Sequence, residues 1–239
     1  MKNLLLIIFS FVIVNQVQAE TGKTNVYLIP GQGSDYRIFD SLYLANQYNI
    51  IHVQHAIPEE GMTMSEYALV LFDQIDTSSQ YILIGVSLGG MLAVEMNEFH
   101  TPEKTIIISS AKCRKELPDR YLLQEYLPVY QLVSDDRCKK GALFLQPIVE
   151  PDRNNQKETF VSMLENKDPL FLKRTITMIL TWQRTNYSDE IIHIHGDKDR
   201  TIPVRNVNYD YLIEDGSHMM TLTKGPMIGR LIAEILEGK

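Results

Sequence analysis

QYILIGVSLGGMLAVEMNEF, residues 80–99, decides the reading of this chain. Tyr81 to Ile84 is a short apolar run of strand type, and Met91, Leu92, Val94, Met96 and Phe99 recur at helical spacing. Between them lies Gly85-Val86-Ser87-Leu88-Gly89. Strand, Gly-x-Ser-x-Gly and helix in that order form a sharp turn that lifts the serine hydroxyl clear of the sheet, so Ser87 is a candidate nucleophile. Glycines at 85 and 89 fit because a strand and a helix this close to the serine leave no room for side chains. The helix N-terminus then presents free amides and partial positive charge where an anion develops.

On either side, the alternation of strand and helix continues. Residues 25–30 (NVYLIP) read as a first strand running into Gly31-Gln32-Gly33-Ser34, residues 37–45 as a helix, and residues 49–54 as a second strand. Thr63-Met64-Ser65-Glu66 is a capping box that opens a helix with Tyr67, Leu71 and Ile75 on one face. Residues 104–110 (KTIIISS) are apolar throughout, as in a parallel strand covered on both faces. The rhythm stops from Ala111 to about Lys167, a charged stretch of short helical pieces that reads as an insertion over the carboxyl ends of the strands. It resumes with an amphipathic helix at 170–184, a strand at 190–195, a last strand at 206–213 and a helix at 226–236. Six strands alternating with helices predict an α/β fold: a mostly parallel sheet with helices on both faces and a helical cap insertion at about 111–167. Ligands of such sheets bind beyond the carboxyl ends of the strands, where every motif named here lies.

A serine hydroxyl needs a base, and the base needs an acid to hold its tautomer. Ser87, Asp199 and His218 supply the three in the chain order that this fold requires, each in a loop after a separate strand. Asp197 is the alternative acid, with a turn-stabilising role otherwise, and Asp215 is a weaker one, being only three residues from His218. His218 itself is otherwise an ordinary loop histidine.

These residues resemble the α/β-hydrolase superfamily. Gly85-Val86-Ser87-Leu88-Gly89 is similar to its nucleophile motif, residues 195–203 (HGDKDRTIP) to its acid loop with the carboxylate at Asp199, and residues 215–219 (DGSHM) to its histidine loop. The insertion occupies the place of the family's cap. The resemblance implies an oxyanion hole made by the backbone amides of Leu88 and Gln32, the latter in Pro30-Gly31-Gln32-Gly33. Pro30 stands where many members carry histidine, a departure that leaves the amide available but alters the loop. The resemblance further implies ester hydrolysis without a cofactor. Its alternatives are thioester, amide or C–C hydrolysis, lyase or perhydrolase chemistry, or a non-catalytic ligand-binding module.

Other motifs carry less. Gly31-Gln32-Gly33 lacks the third glycine of a dinucleotide loop, and Gly22-Lys23-Thr24 lacks the upstream glycine of a phosphate loop. His193 and His195 share a strand face but have no evident third ligand, so no metal is expected. His52 and His55 read as satisfied strand-end residues.

Composition sets the outer bounds. The 239 residues carry a formal charge of −7 and 44% apolar residues, enough for one sizeable core, and no domain split is suggested. The mildly acidic balance without a basic block argues against nucleic acid or anionic membrane as partners, and a neutral small-molecule ester is the expected substrate. Nothing in the sequence speaks to oligomeric state. Lys2, the apolar run Leu4 to Val14 and Val17-Gln18-Ala19 read as a secretory signal covering residues 1–19, leaving 20–239 as a single domain. The run is too short for the roughly 20 residues of a membrane anchor. Export to the periplasm or beyond would allow Cys113 and Cys138, the two cysteines of the chain, to form a disulfide; the alternative is two free buried thiols.

Overall fold

A computed structural model describes residues 23–126, 132–150 and 156–238. The expected signal, residues 1–19, lies outside them. Six strands form one parallel sheet: β1 (Thr24–Ile29), β2 (Tyr48–His52), β3 (Tyr81–Val86), β4 (Lys104–Ile108), β5 (Ile192–Gly196) and β6 (Tyr211–Ile213), in the order β2-β1-β3-β4-β5-β6. All six residues of β3 are buried, because the sheet is covered on both sides. Alternate residues feed two cores. Tyr27, Leu83 and Ile107 pack with α1 (Met64–Phe72) and α2 (Leu88–Phe99), while Val26, Ile84 and Ile106 face the other way, toward the C-terminal helix.

The chain leaves β1 in one direction to reach β2 and crosses back to pair β3 on the other side, so the strand order reverses at β1 and β3. Loops leaving the carboxyl ends of these two strands diverge and open a crevice there. The Gly31 loop and Ser87 occupy its two sides.

The insertion contributes α3 (Asp119–Tyr126), α4 (Asp135–Val149) and α5 (Lys157–Glu165), followed by α6 (Pro169–Leu180). A helical cap over the sheet's carboxyl edge is therefore present. Two short terminal helices, α7 (Met220–Thr223) and α8 (Gly225–Leu236), complete the order.

Several expectations are corrected. The helix predicted over 37–45 is a single 3-10 turn, Tyr36–Phe39, because Asp35 binds the Arg37 amide and guanidinium and Ser41 is drawn onto the Leu222 carbonyl at 2.6 Å. The last strand is Tyr211–Ile213 rather than eight residues long. Its expected first half is taken by lateral partners: the Asn208 amide donates to Glu116 and the Asp210 carboxylate accepts from the His193 amide. The helix expected to reach Arg184 ends at Leu180, since Trp182 and Arg184 turn back to bind Glu95 of α2. The expected disulfide is absent: Cys113 and Cys138 are free thiols. Cys113 sits buried just after β4, close to the amides of Lys115 and Glu116, whereas Cys138 lies in the first turn of α4 with its sulfur toward the Val133 carbonyl.

Candidate active site

Ser87 sits in the left-handed half of conformational space, at φ 54° and ψ −120°, between β3 and α2. That strain is held in place by the surroundings. The Ser87 amide donates to the Ile108 carbonyl at 3.0 Å, and its carbonyl accepts from Ser110 Oγ at 2.7 Å. A Cβ on Gly85 would collide with the Gly89 carbonyl, and one on Gly89 with the Ile29 carbonyl, so both positions tolerate only glycine.

The hydroxyl thus presented meets a histidine. Ser87 Oγ lies 2.8 Å from His218 Nε2, and His218 Nδ1 lies 2.8 Å from Asp199 Oδ2. An acceptor-only carboxylate at Nδ1 fixes the proton there and leaves Nε2 bare, facing the serine. Asp199 is itself fixed, its Oδ1 accepting the Thr201 and Ile202 amides at 2.8 Å each. The tight loop Asp199 to Ile202 is what makes the carboxylate point at His218. Burial pushes the His218 imidazolium down, but the Asp199 charge and hydrogen bond, with a further push from Glu150, raise its pKa above the ordinary 6.5. The rejected acids lie elsewhere. Asp197 pairs with Lys198 at 3.5 Å, and Asp215 is a turn residue at φ 51°.

The amides of Gln32 and Leu88 donate to no other group among the described residues. Leu88 opens α2, where first-turn amides have no intrahelical acceptor. Gln32 spends its side chain on α6, donating to the Leu172 carbonyl at 2.9 Å and Thr175 Oγ1 at 2.8 Å, which fixes its backbone beside Ser87. His55 supports the same loop. Its Nε2 donates to the Pro30 carbonyl at 2.9 Å, and burial drops its pKa to about 4, so the ring stays neutral. His55 is satisfied at both nitrogens, as the sequence reading expects, but it lies three residues beyond the end of β2 and no spacing rule links it to position 30.

Ser87 and His218 open into a cavity of about 190 Å³ roofed by the cap, with Met91, Leu164, Leu172 and Ile176 among its apolar walls. A larger, shallow hollow of about 480 Å³ lies on the outer side of the acid loop, away from Ser87 and His218. The cavity holds one group that sequence analysis missed. Glu150, which ends α4, is buried at 3% exposure, lines the cavity, and accepts the Met219 amide at 3.2 Å through Oε2. Burial raises its carboxyl pKa to about 7; His218 opposes the rise and Asp199 adds to it. The only cue in the sequence was a glutamate following an apolar helix end in the insertion, which no motif distinguishes.

Behind the acid, His193 and His195 fill the sheet end, fully buried. Their ring nitrogens are paired within the protein: His193 Nδ1 lies 3.0 Å from the Asn208 carbonyl, His195 Nε2 2.9 Å from the Ile202 carbonyl, and His195 Nδ1 3.0 Å from His193 Nε2, three contacts that share two protons when both rings are neutral. Burial pushes both below the ordinary imidazole range. His195 therefore holds the acid loop by its Ile202 carbonyl.

No protein-family model matches the sequence, and no curated protein matches it. Solved structures do match. A thermophilic esterase from Thermogutta terrifontis, solved with malate bound, is 16% identical over 90% of each chain with a TM-score of 0.66. An esterase from Exiguobacterium antarcticum is 15% identical over 90% of this chain and 92% of its own, also at 0.66. The enol-lactonase of Burkholderia xenovorans is 13% identical over 90% and 91%, at 0.66. At such identities the likeness is one of fold, and the chain has the α/β-hydrolase fold.

Proposed function

We propose that the protein is an exported serine hydrolase that cleaves carboxylic esters of small molecules through an acyl-enzyme. The observation that carries this reading is the continuous contact from Ser87 Oγ through His218 to Asp199, with the serine on a strained strand-to-helix turn. Ser87 Oγ attacks the ester carbonyl while His218 Nε2 takes its proton. Negative charge on the carbonyl oxygen goes to the amides of Gln32 and Leu88. The C–O bond to the alcohol then breaks, His218 returns the proton to the departing oxygen, and the acyl group stays on Ser87. Water, deprotonated by His218, repeats the sequence and releases the acid. Asp199 accepts from His218 Nδ1 and stabilises the imidazolium. All these groups are side chains and amides of this chain, so the reading calls for no cofactor. That the solved neighbours include esterases and an enol-lactonase supports the choice of an ester as the scissile group.

Export rests on the apolar run Leu4 to Val14, and mass spectrometry of protein secreted from its host should find the mature chain starting at Glu20. For the activity, the mature protein is treated with a fluorophosphonate probe and, in parallel, with short-chain esters. Labelling and alcohol release are expected from the wild type and lost in Ser87→Ala and His218→Ala. An unlabelled wild type that releases no alcohol overturns the reading.

A further inference from the structure

The cavity's charge inventory is one-sided. Among its described lining residues Glu150 is the one carboxylate, and none is lysine or arginine. Apart from His218, its other polar groups are uncharged and mostly engaged. Gln32 is bonded to α6, Ser34 donates to the Gly31 carbonyl, and Gln146 donates to the Phe160 carbonyl at 3.0 Å. Glu150 itself receives the Met219 amide. A buried carboxylate with so little compensation is under-solvated, and a positive charge brought into the same cavity would complete its environment. A negative charge there would meet a like charge across apolar walls, where screening is weak.

We propose that Glu150 is the specificity-determining residue of the cavity, selecting esters whose acyl or alcohol part carries an ammonium group and rejecting those that carry a carboxylate or sulfonate. This rests on the hydrolase reading above for its catalytic consequence, though not for the binding preference itself. The cap helix α4 delivers the carboxyl from above, while the Met219 amide in the histidine loop fixes its direction. Among the described residues the charged groups facing Glu150 are His218 and Asp199, and Ser217 adds a hydroxyl. Arg200 of the acid loop donates instead to the Ile148 carbonyl, so it does not neutralise the carboxylate. Because Glu150 titrates near 7, the selectivity is pH-dependent: it is full above that value and fades below it, as the carboxyl takes up its proton.

The test uses p-nitrophenyl esters of matched acyl length ending in methyl, trimethylammonium or carboxylate. At pH 8 the kcat/KM ratio of the cationic to the anionic ester is expected to be on the order of 100-fold. At pH 6 it should shrink by about tenfold, following the fraction ionised. Glu150→Gln keeps the volume and the acceptor for the Met219 amide while removing the charge. It should bring the ratio at both pH values to within a few-fold of one. In a second arm, calorimetry on Ser87→Ala measures binding of hexyltrimethylammonium and hexanesulfonate, which reads the cavity without turnover. The ammonium should bind tighter than the sulfonate, more so at pH 8 than at pH 6, and Glu150→Gln should erase the difference. A ratio near one in the wild type, or one that survives in Glu150→Gln, overturns the proposal. If no ester is cleaved yet the ammonium binds in a Glu150-dependent way, the hydrolase reading fails and the selectivity stands.

Discussion

At the residue scale, the proposed chemistry depends on His218 being neutral and aimed at Ser87. Its pKa is raised above 6.5, so the proton must leave before it can act as base. For a neutral ester, kcat/KM is expected to rise with pH through an inflection above 6.5. Asp199 is the larger of the two charges responsible and Glu150 the smaller. Glu150→Gln should therefore move the inflection toward 6.5 while retaining activity, a shift that a pH–rate profile resolves. Asp199→Asn offers His218 Nδ1 an amide in place of a full negative charge and can reverse the tautomer. Its kcat should fall by roughly 10³–10⁴-fold with the fold intact by circular dichroism. If Asp199→Asn keeps near-normal turnover, the acid lies elsewhere.

At the scale of elements, two packings hold the strand-to-helix turn. One is steric: β3 and α2 meet backbone to backbone at Gly85 and Gly89. The other is polar. Glu95, buried on α2, accepts Trp182 Nε1 and Arg184 Nε at 2.7 Å each and Arg184 NH2 at 2.9 Å, tying α2 to the segment that follows α6. Burial raises the Glu95 pKa, but the Arg184 and Trp182 hydrogen bonds together outweigh it, and the carboxylate stays ionised. Glu95→Ala leaves the Trp182 indole N–H and two donors of the Arg184 guanidinium without their acceptor, the third keeping Glu98 at 3.2 Å and the Asn186 carbonyl at 3.0 Å. The expected loss is about 3 kcal/mol of unfolding free energy, read by urea denaturation. Replacing both Glu95 and Arg184 with apolar residues should cost less than the single change, because no partly buried guanidinium with two unmet donors remains.

For the whole molecule, buried titratable groups set how stability varies with pH. His55, His193 and His195 have folded pKa values below the unfolded 6.5, so the unfolded chain binds protons that the fold refuses, and stability drops as pH falls below 6.5. For Glu150 the sign is opposite. Its folded pKa of about 7 exceeds the ordinary 4.5, so its contribution is full below 4.5 and is lost as pH rises toward 7. Between 4.5 and 6.5 these three imidazoles and the half-buried His52, whose pKa is also lowered, outweigh the raised carboxyls of Glu150 and Glu116, and above 6.5 the losses at Glu150 and His218 set the slope. Stability should therefore peak near pH 6.5, falling steeply on the acid side and gently on the alkaline side. Urea midpoints across pH 5–8.5 test this. At pH 8, Glu150→Gln should be more stable than the wild type by up to about 3 kcal/mol, the value of a shift of that size.

The sequence by itself determined the sheet, the switch from strand to helix at Ser87, and the identity and order of Ser87, Asp199 and His218. Those features are local: apolar period, glycine placement and capping act within a few residues, and the capping box at Thr63 and Glu66 forms as its spacing implies. What only the tertiary structure decided is longer in range. Glu150 enters the cavity because the cap folds over the sheet, His55 reaches Pro30 across 25 positions, and Cys113 and Cys138 stay apart because they sit on different elements. The last strand and the end of α6 were shortened by partners brought from distant parts of the chain. Such contacts depend on how elements pack in space, and that packing sums many weak terms from residues far apart, so no single window of the chain records it.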